Sequence, residues 1–366
     1  MSDISFNSVG TCNYCEKFII DASPILKESS DSRRARLDGL VSSIKVAGKN
    51  NRYDCVMGLS GGVDSTWALL QAKHLGLRPL VVHVDNGWNS ELAQYNMERA
   101  LNALDFDLHT VVIEWQEYRE LMLSFFDAGV IDIELLYDNS IVASLYECAK
   151  VNGIKYILTG GNTATEGFPM PSSWYWFKLD RKNIYSIAKR HGVQAIKSLP
   201  TISVNDYIVY SYLRRIKAVP FLNYFDFNKS VALDELEVSL GFKRYPYKHY
   251  ESQFTRFYQG YILPEKFGVD KRMVHLSNLV MTGELSRAEG LKILSQSPYS
   301  SPQDLAADKS FFLKKIRWNE SEFDDYLGRP GRGHLEYGSE KLYWDFLFDR
   351  IGSYIPSWIK KRLRLN

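Results

Sequence analysis

Apolar positions divide the chain into short runs and longer periodic stretches that alternate. Runs at 53–59, 79–84, 108–113 and 154–159 have the length and content of buried strands, while residues 63–75, 89–104 and stretches within 116–152 place apolar residues at helical spacing. Strands that alternate with helices predict an α/β domain with a doubly wound parallel sheet, whose ligands collect beyond the carboxyl ends of the strands. Ser60 to Ser65, Asp85 to Trp88 and Gly160 to Asn162 each follow such a run, so they are expected to meet in one crevice. A charged helical stretch around Ser32 to Val46 precedes this domain. From about Asn205 onward the periodicity is mainly helical, broken by turn signals at Gly241, Pro246, Gly283, Ser297-Pro298 and Arg329 to Gly333. The expected organisation is an arm over 1–50, the α/β domain over 51–200 and a mainly helical region over 201–366 for substrate or partner, with no internal repeat.

The turn after the first run reads Ser60-Gly-Gly-Val-Asp-Ser65. Gly61 and Gly62 let the backbone bend sharply and present N–H groups to an anion, Ser60 and Ser65 add hydroxyls, and a helix starting at Val63 adds its positive end. Asp64 beside a phosphate needs an intervening cation, and Mg²⁺ bridging phosphate oxygens fits. The turn lacks the Lys-Ser/Thr pair of a Walker A loop and the GxGxxG of a dinucleotide fold. SGGVDS instead resembles the PP-loop of the ATP pyrophosphatases, which activate an oxygen with AMP and release pyrophosphate. That resemblance implies ATP and Mg²⁺, held through Ser60, Gly61, Gly62, Val63, Asp64 and Ser65. The plainer alternative is a glycine turn with a helix cap.

Composition narrows the class further. With 366 residues, 45% of them hydrophobic, the chain can bury a substantial core as one large or two ordinary domains. The 45 basic and 43 acidic residues give a net charge of +2, so no global field points to nucleic acid. No apolar stretch is long enough to span a bilayer, and the first residues lack the basic and apolar regions of a secretion signal; a cytoplasmic protein is expected. Four cysteines favour reduced thiols or a metal site over a disulfide framework.

The stretch Lys248-His-Tyr-Glu-Ser-Gln-Phe-Thr-Arg-Phe-Tyr-Gln-Gly-Tyr-Ile-Leu-Pro-Glu-Lys-Phe-Gly-Val-Asp-Lys-Arg272, followed by His275-Leu-Ser277, resembles the N-acetyl sugar amidotransferases of bacterial surface-polysaccharide biosynthesis. Thr159-Gly-Gly-Asn-Thr-Ala-Thr-Glu-Gly167 and Cys12-Asn-Tyr-Cys15 fit the same family, so the resemblance runs from near the N-terminus to about residue 295. It implies conversion of an acetamido group to an acetamidino group, on a nucleotide-linked diacetamido uronic acid destined for O-antigen of lipopolysaccharide. It also implies a separate glutaminase subunit, similar to that of imidazole glycerol phosphate synthase, as the ammonia source. Two other readings stay open: a PP-loop enzyme that modifies tRNA, and a non-catalytic nucleotide-binding assembly subunit.

Around this core stand candidates with two roles each. His83 and Asp85 could border the adenosine, or be a core histidine and a helix cap. Gly160, Gly161 and Asn162 are expected on the pyrophosphate side. Lys271 and Arg272 could stabilise phosphate charge as catalytic cations, or lie on a solvated helix face. Lys248, His249 and Glu251 could contact a sugar carboxylate or organise ammonia, with His249 as a proton acceptor, or simply begin a helix. Trp174 and Lys178, in the aromatic loop 166–178, could close over a sugar or uracil, or plug the space between two domains. Cys12 and Cys15 have zinc-ligand spacing, but four ligands are normally needed. The resemblance implies further cysteines upstream of a segment like Asp3 to Phe6, where this sequence begins at Met1, so either Cys55, Cys148 or a histidine completes the site or the sequence starts late and the site is incomplete. The basic tail Pro356 to Asn366 could touch an anionic membrane weakly, or be a surface helix.

Overall fold

The computed structural model describes residues 3–245 and 251–347. Its centre is a five-stranded, all-parallel sheet: β1 (Cys55–Gly58), β2 (Pro79–Asp85), β3 (Leu108–Val112), β4 (Tyr156–Thr159) and β5 (Lys217–Pro220), in the order β3-β2-β1-β4-β5. Met57 of β1 stands between Val81 of β2 and Leu158 of β4. The central strands are apolar on both faces, as a sheet covered by helices on both sides requires, whereas edge strand β3 leaves Leu108 and Val112 exposed. Helices α1 (Asn13–Leu26) and α2 (Ser30–Ala47) form the arm. The sheet is then wound by α3 (Val63–His74), α4 (Glu91–Leu104), α5 (Trp115–Ala128), α6 (Leu135–Val151), α7 (Thr163–Glu166) and α8 (Arg181–Arg190). Gly129, at φ +67°, ends α5 in a left-handed cap and divides the 116–152 stretch into two helices.

Adjacent residues of β1 feed opposite cores. Cys55, Met57 and Leu59 pack with Leu69 and Ala72 of α3, and Val56 packs with Ala149 of α6. The chain winds from β1 outward to β3, then returns to the other side of β1 for β4 and β5. The switch point therefore lies between β1 and β4, and the crevice opens beyond their carboxyl ends.

The mainly helical part begins with α9 (Val204–Ile208) and continues through α10 (Lys229–Leu240), α11 (Gln253–Phe257), α12 (Leu263–Phe267), α13 (Arg272–Thr282), α14 (Arg287–Leu294), α15 (Pro302–Ile316), α16 (Glu320–Gly328) and α17 (Lys341–Asp345). Between α9 and α10 lies β5, so the sheet takes a strand from beyond residue 200. Four residues ending in Pro220, only one of them buried, leave no period-two signal by which a sequence could announce a strand. The helical part also shares a core with the sheet. Trp88, fully buried after β2, lies 5.4 Å from Phe254, 6.1 Å from Phe312 and 5.5 Å from Trp115, and its indole N–H meets Met122 Sδ at 3.3 Å. Aromatic packing of this size dominates core energetics.

Candidate active site

The phosphate loop is held by its own hydroxyls. Ser60 Oγ lies 3.1 Å from Ser65 Oγ and accepts from Gly62 N–H at 3.3 Å, while Ser65 Oγ and Thr66 Oγ1 donate to Gly62 O at 3.2 and 2.8 Å. Gly61 has φ +80°, and a Cβ there would lie 2.6 Å from Ala93 O; a Cβ on Gly160 would lie 3.0 Å from the backbone of Asp64 and Ser65. The loop packs this closely against α4 and against the turn after β4 only because Gly61 and Gly160 carry no Cβ. The N-cap of α3 is Gly62, which has no side chain to satisfy the first amides of the helix, an arrangement suited to an anion.

Asp64 sits in the first turn of α3. Its Oδ1 is buried without a hydrogen-bond partner, and its Oδ2 accepts from Asn162 Nδ2 at 3.4 Å. Lys229 Nζ approaches Oδ1 at 3.7 Å. Sequence reasoning missed Lys229, which opens α10; Glu235 of that helix anchors it to α3 by accepting from Trp67 Nε1 at 2.7 Å. Its one sequence signal is the oddity of a lysine in a helical first turn that holds no acidic residue, where the dipole disfavours a cation. An orphaned carboxylate oxygen beside an anion cradle fits Mg²⁺, which needs only one or two protein carboxylates besides phosphate oxygens.

The other expected residues divide into several groups. Asn162 joins the loop as described, caps α7 through Thr165 N–H at 2.8 Å, and follows Gly160 and Gly161 at the same edge. Glu251 also reaches the loop: a Cβ on Gly62 would meet its Oε1 at 2.8 Å, and its backbone oxygen accepts from Ser90 N–H. Tyr245 donates its hydroxyl to Gly61 O at 2.6 Å. Lys248 and His249 lie outside the described residues, as does the basic tail.

His83 and Asp85 both have hydrogen-bond partners within the protein, and Asp85 is not the helix cap that the sequence offered as its plainer role. His83 Nδ1 lies 2.8 Å from Leu59 O, and its Nε2 lies 2.9 Å from the Asn89 amide, so both ring nitrogens are engaged within the protein. Asp85 closes its own turn by accepting from Gly87 N–H at 2.8 Å, and Ser90 caps α4 instead.

Lys271 and Arg272 have partners away from the loop. Lys271 donates to Glu134 at 2.9 Å, and Arg272 forks onto Asp270 and donates to Gln296 O. Trp174 is buried in the main aromatic core, and Trp176 stacks on His334 with ring centroids 4.8 Å apart. Trp174 and Trp176 thus pack against the protein's own core, while Tyr175 of the same loop lines a cavity. Lys178 is shared between Asp132 at 2.6 Å and Asp138 at 2.8 Å.

Zinc at Cys12 and Cys15 is not supported. Cys12 Sγ caps α1 by accepting from Cys15 N–H at 3.4 Å, and among the described residues no group of three or more His, Cys, Asp or Glu could hold a metal. Burial, with the hydrogen bond to Cys12, pushes the Cys15 thiol up to about 11. Cys55 and Cys148 are buried packing residues.

Two cavities adjoin this crevice. One, of about 430 Å³, is lined by Asn86, Glu134, Asp138, Tyr175, Lys178 and Lys271 among others; the second, of about 690 Å³, lies between α1, the 165–170 loop and helices α11 to α13. Met170, Gln259 and Lys271 line both. No described helix is long and apolar enough to cross a membrane.

Over 131 residues the chain is 28% identical to the uncharacterized protein MJ1599 of Methanocaldococcus jannaschii, a match that takes in 36% of this chain and 45% of that protein. The chain thus spans less than half the length of this relative. The NH3-dependent NAD synthetase from Campylobacter jejuni is 15% identical, with 44% of this chain and 74% of that chain covered and a TM-score of 0.30. The NMN synthetase from Francisella tularensis is 16% identical, with 61% and 99% covered and a TM-score of 0.30. The family model described as "LPS biosynthesis protein WbpG-like, C-terminal domain" matches residues 251–350, so the C-terminal part of the chain is similar to that domain.

Proposed function

We propose that the chain is the synthetase half of an ATP-dependent amidotransferase acting in the cytoplasm. It would convert an acetamido group of a nucleotide-linked diacetamido uronic acid into an acetamidino group, with ammonia from a separate glutaminase. The observation that carries this reading is the buried Asp64 oxygen that accepts no hydrogen bond, within a glycine-tight anion loop, in a chain whose C-terminal part matches an LPS biosynthesis domain.

An amide is a poor electrophile until its oxygen becomes a leaving group. The amide oxygen attacks the α-phosphate and pyrophosphate departs, giving an O-adenylyl imidate. Ammonia adds to the imidate carbon, and AMP leaves with the former amide oxygen. The loop amides and the Ser60 and Ser65 hydroxyls bind phosphate oxygens, and Lys229 supplies the nearby positive charge. Asp64, with Asn162 orienting its second oxygen, would hold Mg²⁺, which supplies charge neutralisation and polarisation of the phosphate. Water must be kept from the imidate, a task suited to the packed aromatic wall.

The test is product analysis with Mg-ATP, ammonium and a UDP-diacetamido uronic acid. Acceptor-dependent AMP and pyrophosphate are expected, with the sugar lighter by the difference between O and NH. An unchanged sugar without AMP, despite ATP binding, overturns the proposed substrate; AMP formation driven by tRNA instead would move the site to nucleic-acid modification.

A further inference from the structure

The smaller cavity has an unbalanced charge. Among the described residues, its ion-pair network sets three carboxylates, Asp132, Glu134 and Asp138, against two ammonium groups, Lys178 and Lys271. The network is well buried: side-chain exposure is 2% for Asp132, 11% for Glu134 and 14% for Lys271. Asp138 keeps 41% of its side-chain surface, and it lines the cavity. An uncompensated negative charge in such a place is costly unless a proton or a cation joins it.

Two further observations point the same way. Asp132, which does not line the cavity but pairs with Lys178 of its wall, has its Oδ1 buried without a hydrogen-bond partner. Burial pushes the Asp138 carboxyl up, Lys178 pulls it back, and Glu134 and Asp132 add to the rise, as expected of a site short of one positive charge. Tyr118, Tyr137, Tyr175 and Phe254 complete the walls and offer aromatic faces, which attract small N–H cations.

We propose that this cavity is a binding site for ammonium, or a small primary ammonium ion, held between Asp138 and Glu134. Ammonium needs little more space than a water molecule, about 30 Å³. The cavity therefore has room for the nitrogen donor together with part of the group it attacks. This assignment rests on the amidotransferase reading for its purpose, but not for its test.

Thermal unfolding of the full chain is compared in ammonium, sodium, potassium and tetramethylammonium chloride at equal ionic strength, with neither ATP nor acceptor. Ammonium is expected to raise the midpoint saturably beyond the other salts. Asp138→Asn should remove the excess, and Glu134→Gln should weaken it in a variant whose near-ultraviolet circular dichroism remains native. An equal rise with potassium, or an excess that survives in both variants, overturns the site. In steady-state assays, Asp138→Asn should raise the KM for ammonium at least tenfold while ATP–pyrophosphate exchange continues. If wild-type enzyme shows no exchange with the acceptor, the proposed function fails separately, and the thermal result still decides the ammonium site.

Discussion

The phosphate loop and the neighbouring polar cavity use opposite means to hold charge. In the loop, glycines bring backbone amides together, and the carboxylate of Asp64 keeps one buried oxygen without a hydrogen bond, with Lys229 Nζ 3.7 Å away. In the cavity, long side chains converge from distant elements and pair most of their charges internally, Lys178 with Asp132 and Asp138, and Lys271 with Glu134. A loop of the first kind is rigid and intolerant of added atoms. A network of the second kind can rearrange, because its charges lie at the ends of rotatable chains. The contrast teaches that the loop is built for one fixed anion and the cavity for a ligand that enters an existing balance.

The largest expected effect is at Asp64. Asp64→Ala should leave the fold intact and lower acceptor-dependent AMP formation by about 10²–10³-fold or more, the range for removing one preorganised electrostatic group. AMP release at the wild-type rate would remove Asp64 from the chemistry. Gly61 and Gly62 sharpen the contrast within the loop itself. Gly61→Ala would put a Cβ 2.6 Å from a backbone oxygen at φ +80°, so a loss of about 3 kcal/mol is expected in urea unfolding. Gly62→Ala would meet the tip of Glu251 at 2.8 Å and Ser60 Oγ at 3.3 Å, side-chain ends rather than backbone and at no positive φ, and should cost less stability. Equal losses would show that the loop is not uniquely tight at Gly61.

On the cavity side, His334 gives a pH-dependent test. It accepts from Asp132 N–H through Nε2 and lies 2.7 Å from Asn183 Oδ1 through Nδ1, and burial pushes it down to about 4. Its unfolded value is near 6.5, so the unfolded chain binds more protons between these limits. The contribution is present above about pH 6.5 and is lost as pH falls towards 4, on the order of 3 kcal/mol in all. Urea midpoints of wild type and His334→Gln, followed from pH 7 to 4, should converge as the pH falls. Parallel curves would mean that another group carries the acid sensitivity.

What could be read from the sequence follows the same division. The loop is one hexapeptide between an apolar strand and a helix, so its place at the sheet edge was legible, and Gly160 to Asn162 could be assigned to the same crevice from strand order alone. The cavity draws on residues from Asn86 to Lys271, and no local pattern joins them. Its one signal was the set of acids in the otherwise apolar stretch Ile131-Asp-Ile-Glu-Leu-Leu-Tyr-Asp138, which could have marked a buried charge network. Lys271, Arg272 and Lys178 were legible as cations, but their carboxylate partners come from packing. Cys12 and Cys15 show the converse: ligand spacing is also the spacing of a helix cap.

The smallest effect expected concerns the cation that sequence reasoning missed, and it separates binding from folding. Lys229→Met keeps the aliphatic stem and removes the charge. A lysine in the first turn of α10 opposes the helix dipole, a conflict worth about 0.3–1 kcal/mol, so its removal should relieve the helix while losing a partly exposed attraction to Asp64 of similar size. Stability should then change little. ATP affinity, measured calorimetrically with Mg²⁺, should fall about tenfold, as expected for a lost charge-assisted contact worth roughly 1.4 kcal/mol. A lower unfolding midpoint with ATP affinity unchanged would instead make Lys229 a structural counter-ion of Asp64. The loop would then balance its charge internally, as the cavity does, and the two regions would no longer differ in kind.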